Sequence, residues 1–285
     1  MRIVWIIAAI VLLAYLVVIM PVLRQNMRQS GLLKVLYAHR GLFDNESDAP
    51  ENSMKAFVKA AELGFGIETD VQLSSDGVAV LFHDFTLARV ARDKDNQPVS
   101  GKVHDYTFEQ LESFHLLNSS EKIPTFQSFL DMVNGRVPLI IELKIENSDK
   151  TLKVCETADQ MLRKYKGLYC IESFNPRGVQ WFKLNHAEVI RGQLSDDFWK
   201  EDPSHKSLLM LACGNLYFNF LTKPDFIAYD VKYPDNLSRG LCRNLYRNIA
   251  VCWTVKSEEQ FKEAKNHFDA YIFDSFVPKD GPRVH

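Results

Sequence analysis

From Ile3 to Leu23 the chain carries no charged residue, and most positions are Ile, Val, Leu, Ala, Trp or Met. Beyond that block the pattern changes to short β-branched and aromatic runs alternating with longer amphipathic stretches. The short runs predict strands at 33–39, 66–72, 137–144, 168–174, 189–194, 225–231, 249–255 and 270–274. Among the helical stretches, 52–63 places Met54, Phe57, Val58 and Ala61 on one stripe and meets Gly64 as a stop. A second, 149–166, carries Leu152, Cys155 and Leu162. A third, 257–268, opens with Ser-Glu-Glu-Gln, the pattern of a capping box. Eight strands with intervening helices predict an α/β fold, a (β/α)8 TIM barrel. The alternative is a doubly wound open sheet, but no Gly-x-Gly-x-x-Gly follows the first strand.

Two segments depart from the alternation. At ~1.5 Å per residue the N-terminal block matches the hydrocarbon thickness of a bilayer. A cleaved signal peptide competes with this reading. The block is long for such a segment, however, and Met20-Pro21-Val22-Leu23 offers no small-x-small cleavage site. The expected organisation is therefore a transmembrane anchor over 1–23, a polar tether over 24–32 and a catalytic-sized domain over 33–285. The other departure separates the second strand from the third. It contains a further strand-like run at 78–82 and a polar stretch at 93–101, and predicts a small insertion at about 73–117.

Composition narrows the class. A net charge of −2 over 285 residues, with 46% hydrophobic content, suits one folded domain and gives no basic, aromatic-interleaved patch for nucleic acid. Cys155, Cys170, Cys213, Cys242 and Cys252 are odd in number and lack paired spacing, as reduced thiols do. Arg24, Arg28 and Lys34 outnumber Arg2 across the apolar block, so the positive-inside rule slightly favours a cytoplasmic domain on a single-pass membrane protein.

Candidate chemistry gathers at predicted strand ends. In "GIETDVQLSSDG", alternation sets Glu68, Asp70 and Gln72 on one face. Two carboxylates two residues apart are costly unless a cation or donors compensate them, and they suit a hard metal such as Mg²⁺ or Ca²⁺. A solvated edge strand is the plain alternative. In "VPLIIELKIEN", Glu142 and Lys144 share a face near the strand's carboxyl end, where barrel enzymes work. His39 and His83 each follow an apolar run and suit acid–base work near neutral pH.

Taken in order, "AHRG", "PENS", "IETDVQLSSDGVAVLFHD", "IPTF", "IELK", "SFN", "VCWTV" and "IFDSF" resemble the glycerophosphodiester phosphodiesterase family over about residues 35–277. The resemblance implies a barrel with an insertion after its second strand. It also implies hydrolysis of glycerophosphodiesters to glycerol 3-phosphate and an alcohol. Position by position, it makes His39 and His83 the acid–base pair and Glu68, Asp70 and Glu142 the ligands of one divalent metal. Arg40 and Lys144 would neutralise phosphate, Glu51 would orient the site, and Phe174 and Trp253 would line the pocket for the glycerol or alcohol part. Arg89-Val90-Ala91-Arg92 departs from the family's usual Arg-Thr-Thr run, and Lys256 stands where Asn often follows "WTV". Glu172 is expected to be a packed, paired surface carboxylate, with a further barrel-mouth carboxylate as the alternative. The alternative functions are a lysophospholipase D acting on lysophospholipids and a non-catalytic barrel that binds headgroups or a protein. Alternation also sets a geometric condition: for Arg40 to share a site with His39, the chain must turn at Gly41.

Overall fold

The computed structural model describes residues 1–204 and 206–284. Eight parallel strands close on themselves: β1 (Tyr37–His39), β2 (Gly66–Leu73), β3 (Leu139–Leu143), β4 (Tyr169–Ser173), β5 (Arg191–Ser195), β6 (Phe226–Asp230), β7 (Ile249–Val255) and β8 (Ala270–Phe273). Closure comes from β1, which pairs with β2 through Tyr37↔Gly66 and with β8 through Tyr37↔Ile272. This is the (β/α)8 TIM barrel expected. Each strand overlaps its predicted span, but β1 is shorter. Gly31, at φ 89°, turns the chain into a 3-10 turn at Leu32–Lys34 instead of extending it.

Alternation sorts the strand residues into two layers. Ile67 and Val71 of β2 and Leu139, Ile141 and Leu143 of β3 point outward to the helices, in the large core that includes Phe57, Phe129 and Phe182. Tyr37, Ile140, Cys170, Phe226, Val251 and Ile272 fill the barrel interior. Interior packing needs small partners beside its large rings. A Cβ on Gly192 would lie 2.2 Å from the Phe226 ring, so that strand position admits only hydrogen.

The helices that surround the barrel and bear on its site are α1 (Arg2–Ile19), α2 (Asn26–Ser30), α3 (Met54–Glu62), α4 (Phe126–Val133), α5 (Lys153–Leu162), α6 (Pro176–Asn185), α7 (Leu208–Gly214), α8 (Asn219–Thr222), α9 (Leu237–Asn244) and α10 (Glu258–Ala264). Ser53 caps α3 by accepting from the Ala56 amide, and Ser257 caps α10 by accepting from Gln260. The expected capping box at α10 is displaced by one residue: the Gln260 side chain accepts from the Lys256 amide rather than from Ser257.

The excursion after β2 starts with an antiparallel strand, Ala79–Leu81, paired to β2. It then builds its own small core from Val80, Phe82, Leu87, Val90, Leu111, Leu116 and Ile123. Its packing runs on to Ile123, past the expected end near 117, because the chain must return to the barrel at α4.

The expected tether over 24–32 differs most from its prediction. Met27 of α2 and Leu32 are buried and belong to the interior cluster, closing the barrel floor. Arg24 Nε lies 2.6 Å from Asp225 Oδ1, and Arg24 also donates to the carbonyls of Ala187 and Val189. A polar composition hides this, because two apolar residues and one ion pair suffice to fix a short segment. Without Arg24, the buried Asp225 keeps only the Arg191 amide at 3.2 Å and the Arg191 guanidinium at 3.8 Å. Arg24→Ala should therefore cost about 2 kcal/mol, read from urea unfolding of the detergent-solubilised chain.

Candidate active site

The carboxyl ends of the strands surround a pocket of about 670 Å³, walled in part by His39, Arg40, Glu68, His83, Glu142 and Trp253. Active sites of this fold lie on that face. Two histidines reach it by different routes. His39 ends β1, and its Nδ1 lies 2.8 Å from Asp274 Oδ2, just past β8. His83 comes from the excursion, and its Nδ1 lies 2.6 Å from Asp84 Oδ1. Gln72 of β2 fastens that segment down by donating to the carbonyls of Phe82 and Asp84, both at 2.7 Å. A carboxylate at Nδ1 keeps the proton on that nitrogen and leaves Nε2 for other partners. Burial and the Arg40 charge push His39 down to about 4, against the pull of Asp274.

The expected turn is present and begins one residue early. Arg40 itself sits at φ 55° and Gly41 at φ 82°. A Cβ on Gly41 would lie 2.8 Å from the Ala56 carbonyl carbon at the start of α3. The turn brings the Arg40 amide 3.1 Å from Glu68 Oε2 and its guanidinium 2.8 Å from Glu51 Oε1 and 3.7 Å from Asp70 Oδ2. Arg40 therefore faces the acidic cluster.

Glu68, Asp70 and Glu142 converge: one oxygen from each lies within 4.8 Å of the other two. All three are buried. Burial pushes the Glu68 carboxyl well up, and Asp70, Glu142 and Glu172 add to the push. Glu142 is raised by burial in spite of Lys144. Burial also works against the charge of Asp70, but Lys144, His83 and Arg40 outweigh it and hold Asp70 well down. Asp70 Oδ1 lies 3.0 Å from Lys144 Nζ yet is a buried atom without a well-directed hydrogen bond. Three hard oxygen donors, two of them disfavoured as anions and one atom under-coordinated, fit a divalent cation.

Other expected residues are placed differently. Lys144 Nζ lies between Asp70 and Glu142, at 3.0 and 2.9 Å, as a countercharge behind the pocket wall rather than a free phosphate ligand. Glu51 also sits behind the wall. It takes two contacts of 2.6 Å from Arg89 besides Arg40, and burial notwithstanding, these arginines pull it down to about 2. Phe174 and Trp253 both line the pocket, with rings edge to face and centroids 5.4 Å apart. Glu172 is not on the surface. It is buried beside Glu142 on the neighbouring strand, lines the pocket, and burial pushes it well up.

Residue-type reasoning misses four members of this network. Asp274 sits in "IFDSF", Asn52 in "PENS" and Asp84 beside His83, so each was adjacent to a recognised signal. Asn52 Nδ2 donates to Asp70 Oδ2 at 2.9 Å and its Oδ1 accepts from Thr69. Arg89 had a weaker signal, at the departure from the family run. It ties Glu51 to Asp84 and hence the first strand's loop to the excursion.

Comparison with known proteins identifies the family and the fold. The model of the glycerophosphoryl diester phosphodiesterase family matches residues 39–275. Human glycerophosphodiester phosphodiesterase 1 is 28% identical over 279 residues, covering 84% of this chain and 77% of that protein. A glycerophosphodiester phosphodiesterase of Bacillus altitudinis is 37% identical over 120 residues, 40% of this chain and 45% of its own length. Among solved structures, a protein from Silicibacter pomeroyi superposes with a TM-score of 0.68 at 19% identity, covering 88% of this chain and 94% of that one. An Oleispira antarctica phosphodiesterase, solved with the product sn-glycerol-3-phosphate, gives 0.65 at 20% identity, covering 84% and 92%. The chain belongs to the glycerophosphoryl diester phosphodiesterase family, and it is a phosphodiester hydrolase.

Proposed function

We propose that the chain hydrolyses glycerophosphodiesters to glycerol 3-phosphate and an alcohol, using His39 and His83 as an acid–base pair beside one divalent cation, Mg²⁺ or Ca²⁺. The observation that carries this reading is the paired arrangement of the histidines. Each has its Nδ1 tied to a carboxylate, and both border the pocket that Glu68 and Glu142 of the acidic cluster also line. The product named in the Oleispira antarctica complex supports the same substrate class.

Glu68, Asp70 and Glu142 would hold the cation, which when bound supplies positive charge against the phosphate oxygens. Arg40 adds a second positive group on the pocket wall, so the anion can be approached by a nucleophile. His39, which its surroundings keep neutral, takes a proton from the attacking oxygen through Nε2. His83 delivers one to the departing alcohol oxygen. Asp274 and Asp84 fix the two rings so that Nε2 is the working atom. Glu51, held by Arg40 and Arg89, keeps the first loop against the excursion. Phe174 and Trp253 pack on the glycerol or alcohol part.

A lysophospholipid substrate has one observation in its favour. An apolar groove bordered by Phe198, Leu209 and Met210 reaches Phe174, which also walls the catalytic pocket. The reading of α1 as a membrane anchor rests on its composition and on its exposure: along Arg2–Ile19 only Ile19 is buried. A cytoplasmic domain fits five free cysteines. Of the basic residues that follow the apolar block, Arg24 is engaged with Asp225.

Glycerophosphocholine should be turned over in Mg²⁺ or Ca²⁺, with glycerol 3-phosphate as product, and turnover should stop in excess EDTA and return on re-addition of metal. Undiminished turnover in EDTA, or no turnover with either metal, would contradict the reading. His39→Ala and His83→Ala should each lower kcat by about 10²- to 10⁴-fold, the usual contribution of a general acid or base. Asp274→Asn should lower kcat by about 10²-fold at unchanged KM, since it removes the charge that supports the basicity of His39 and loosens the tautomer and orientation of the ring.

A further inference from the structure

The geometry points to a barrel whose catalytic face lies against the lipid bilayer, so that the pocket opens toward the membrane surface. This rests on the reading of α1 as membrane-embedded. It goes beyond that reading, because an anchor alone does not fix which face of the domain it presents.

The direction of α1 is set by its contacts. Tyr15 Oη lies 2.8 Å from Ser238 Oγ, and one turn further along both helices the Cys242 thiol donates to the Ile19 carbonyl at 3.2 Å. The order of these two contacts gives α1 the same sense as α9, and the packing of α1 on α8 agrees, since Asn219 donates to the Ile19 carbonyl and Lys223 to the Met20 carbonyl. Helix α9 connects the carboxyl end of β6 to the amino end of β7, and these strands are parallel. It therefore runs from the catalytic face to the floor, and so does α1. The chain beyond Ile19 keeps the same sense: the Val22 amide donates to the Pro224 carbonyl and Arg24 pairs with Asp225, both just before β6 begins. Traced backwards from Tyr15, the helix rises past the catalytic face.

Residues 1–14 are exposed throughout. From residue 2 to residue 14 the helix projects by about 20 Å at ~1.5 Å per residue. A bilayer's hydrocarbon core is about 30 Å thick, longer than this free length, so insertion of the whole free helix leaves no stand-off between lipid and barrel. The shoulder where it joins the barrel must then meet the headgroups, and it carries exposed leucines among charged side chains such as Lys206 and Lys232. Leu237, the residue before Ser238, is 66% exposed. Leu208, at the start of α7, is 81% exposed, and Leu209 beside it is 53% exposed. Exposed leucines on one rim suit a lipid surface. The apolar groove bordered by Leu209 opens at the same rim. A diester carried in or released at the membrane surface would meet the pocket directly. The same course carries Arg24, Arg28 and Lys34 to the barrel floor, away from that surface.

Single cysteines at three sites test this in the full chain, with Cys213→Ser removing the half-buried native thiol. Leu208→Cys reports the catalytic rim, Leu184→Cys the floor end of α6, and Val11→Cys the anchor. Each carries an environment-sensitive fluorophore in vesicles of phosphatidylcholine and phosphatidylserine doped with nitroxide lipids. Quenching is expected at Val11 and Leu208 and not at Leu184. Quenching at Val11 without quenching at Leu208, or at Leu184 instead of Leu208, would overturn the orientation while leaving the anchor intact. No quenching at Val11 would overturn the anchor, and the orientation with it.

Discussion

Three carboxylates share the buried carboxyl ends of two adjacent strands, and in water-poor surroundings they repel one another. Glu68 and Asp70 come from β2, and Glu142 sits opposite Asp70 on β3. Burying such a set without compensation is among the most expensive things a core can do. Much of the local architecture answers that cost. Lys144 stands between Asp70 and Glu142, Asn52 donates to Asp70, and the Arg40 backbone and guanidinium close the near side. The answer is incomplete, since Glu68 and Glu142 remain pushed toward their neutral forms. A structural cluster would gain by losing a carboxylate. A cluster that receives a cation gains by keeping all three.

The histidines are organised around the same cluster from opposite directions in sequence. His39 arrives at the end of β1 and takes its partner Asp274 from just past β8, which closes the barrel beside it. His83 arrives through the excursion, which Gln72 pins to β2 and Arg89 ties to Glu51. The excursion has its own core, so it acts as a solid piece that holds one side of the pocket. The turn at Arg40–Gly41 shows the same economy of space: only a left-handed backbone lets residue 40 share a site with residue 39, and α3 packs too closely at Gly41 for a side chain.

The strands were legible because their layers alternate cleanly: Ile67 and Val71 outward, Glu68 and Asp70 inward. The acidic residues were legible because an apolar strand rarely carries paired carboxylates unless a cation or donors offset their lost hydration. What escaped depends on contacts between distant segments. Asp274 acquires its place only when β8 closes against β1, and Arg89 only when the excursion folds back on the first loop. Glu172 looks like an ordinary surface carboxylate until strand pairing sets it beside Glu142. Residues 24–32 look like a tether because polar side chains dominate, yet Met27, Leu32 and Arg24 suffice to build the barrel floor.

If the buried carboxylates form one cation site, that site must bind metal and give up protons as it does so. Calorimetric titration of Mg²⁺ and Ca²⁺ into the metal-free chain, in buffers of different ionisation enthalpy, tests this most directly. A site whose ligands are held partly protonated releases protons when a metal displaces them. One saturable site is predicted, with proton release on binding and loss of both in Glu142→Gln. Absence of binding, or binding that survives Glu142→Gln unchanged, would contradict a shared cation site.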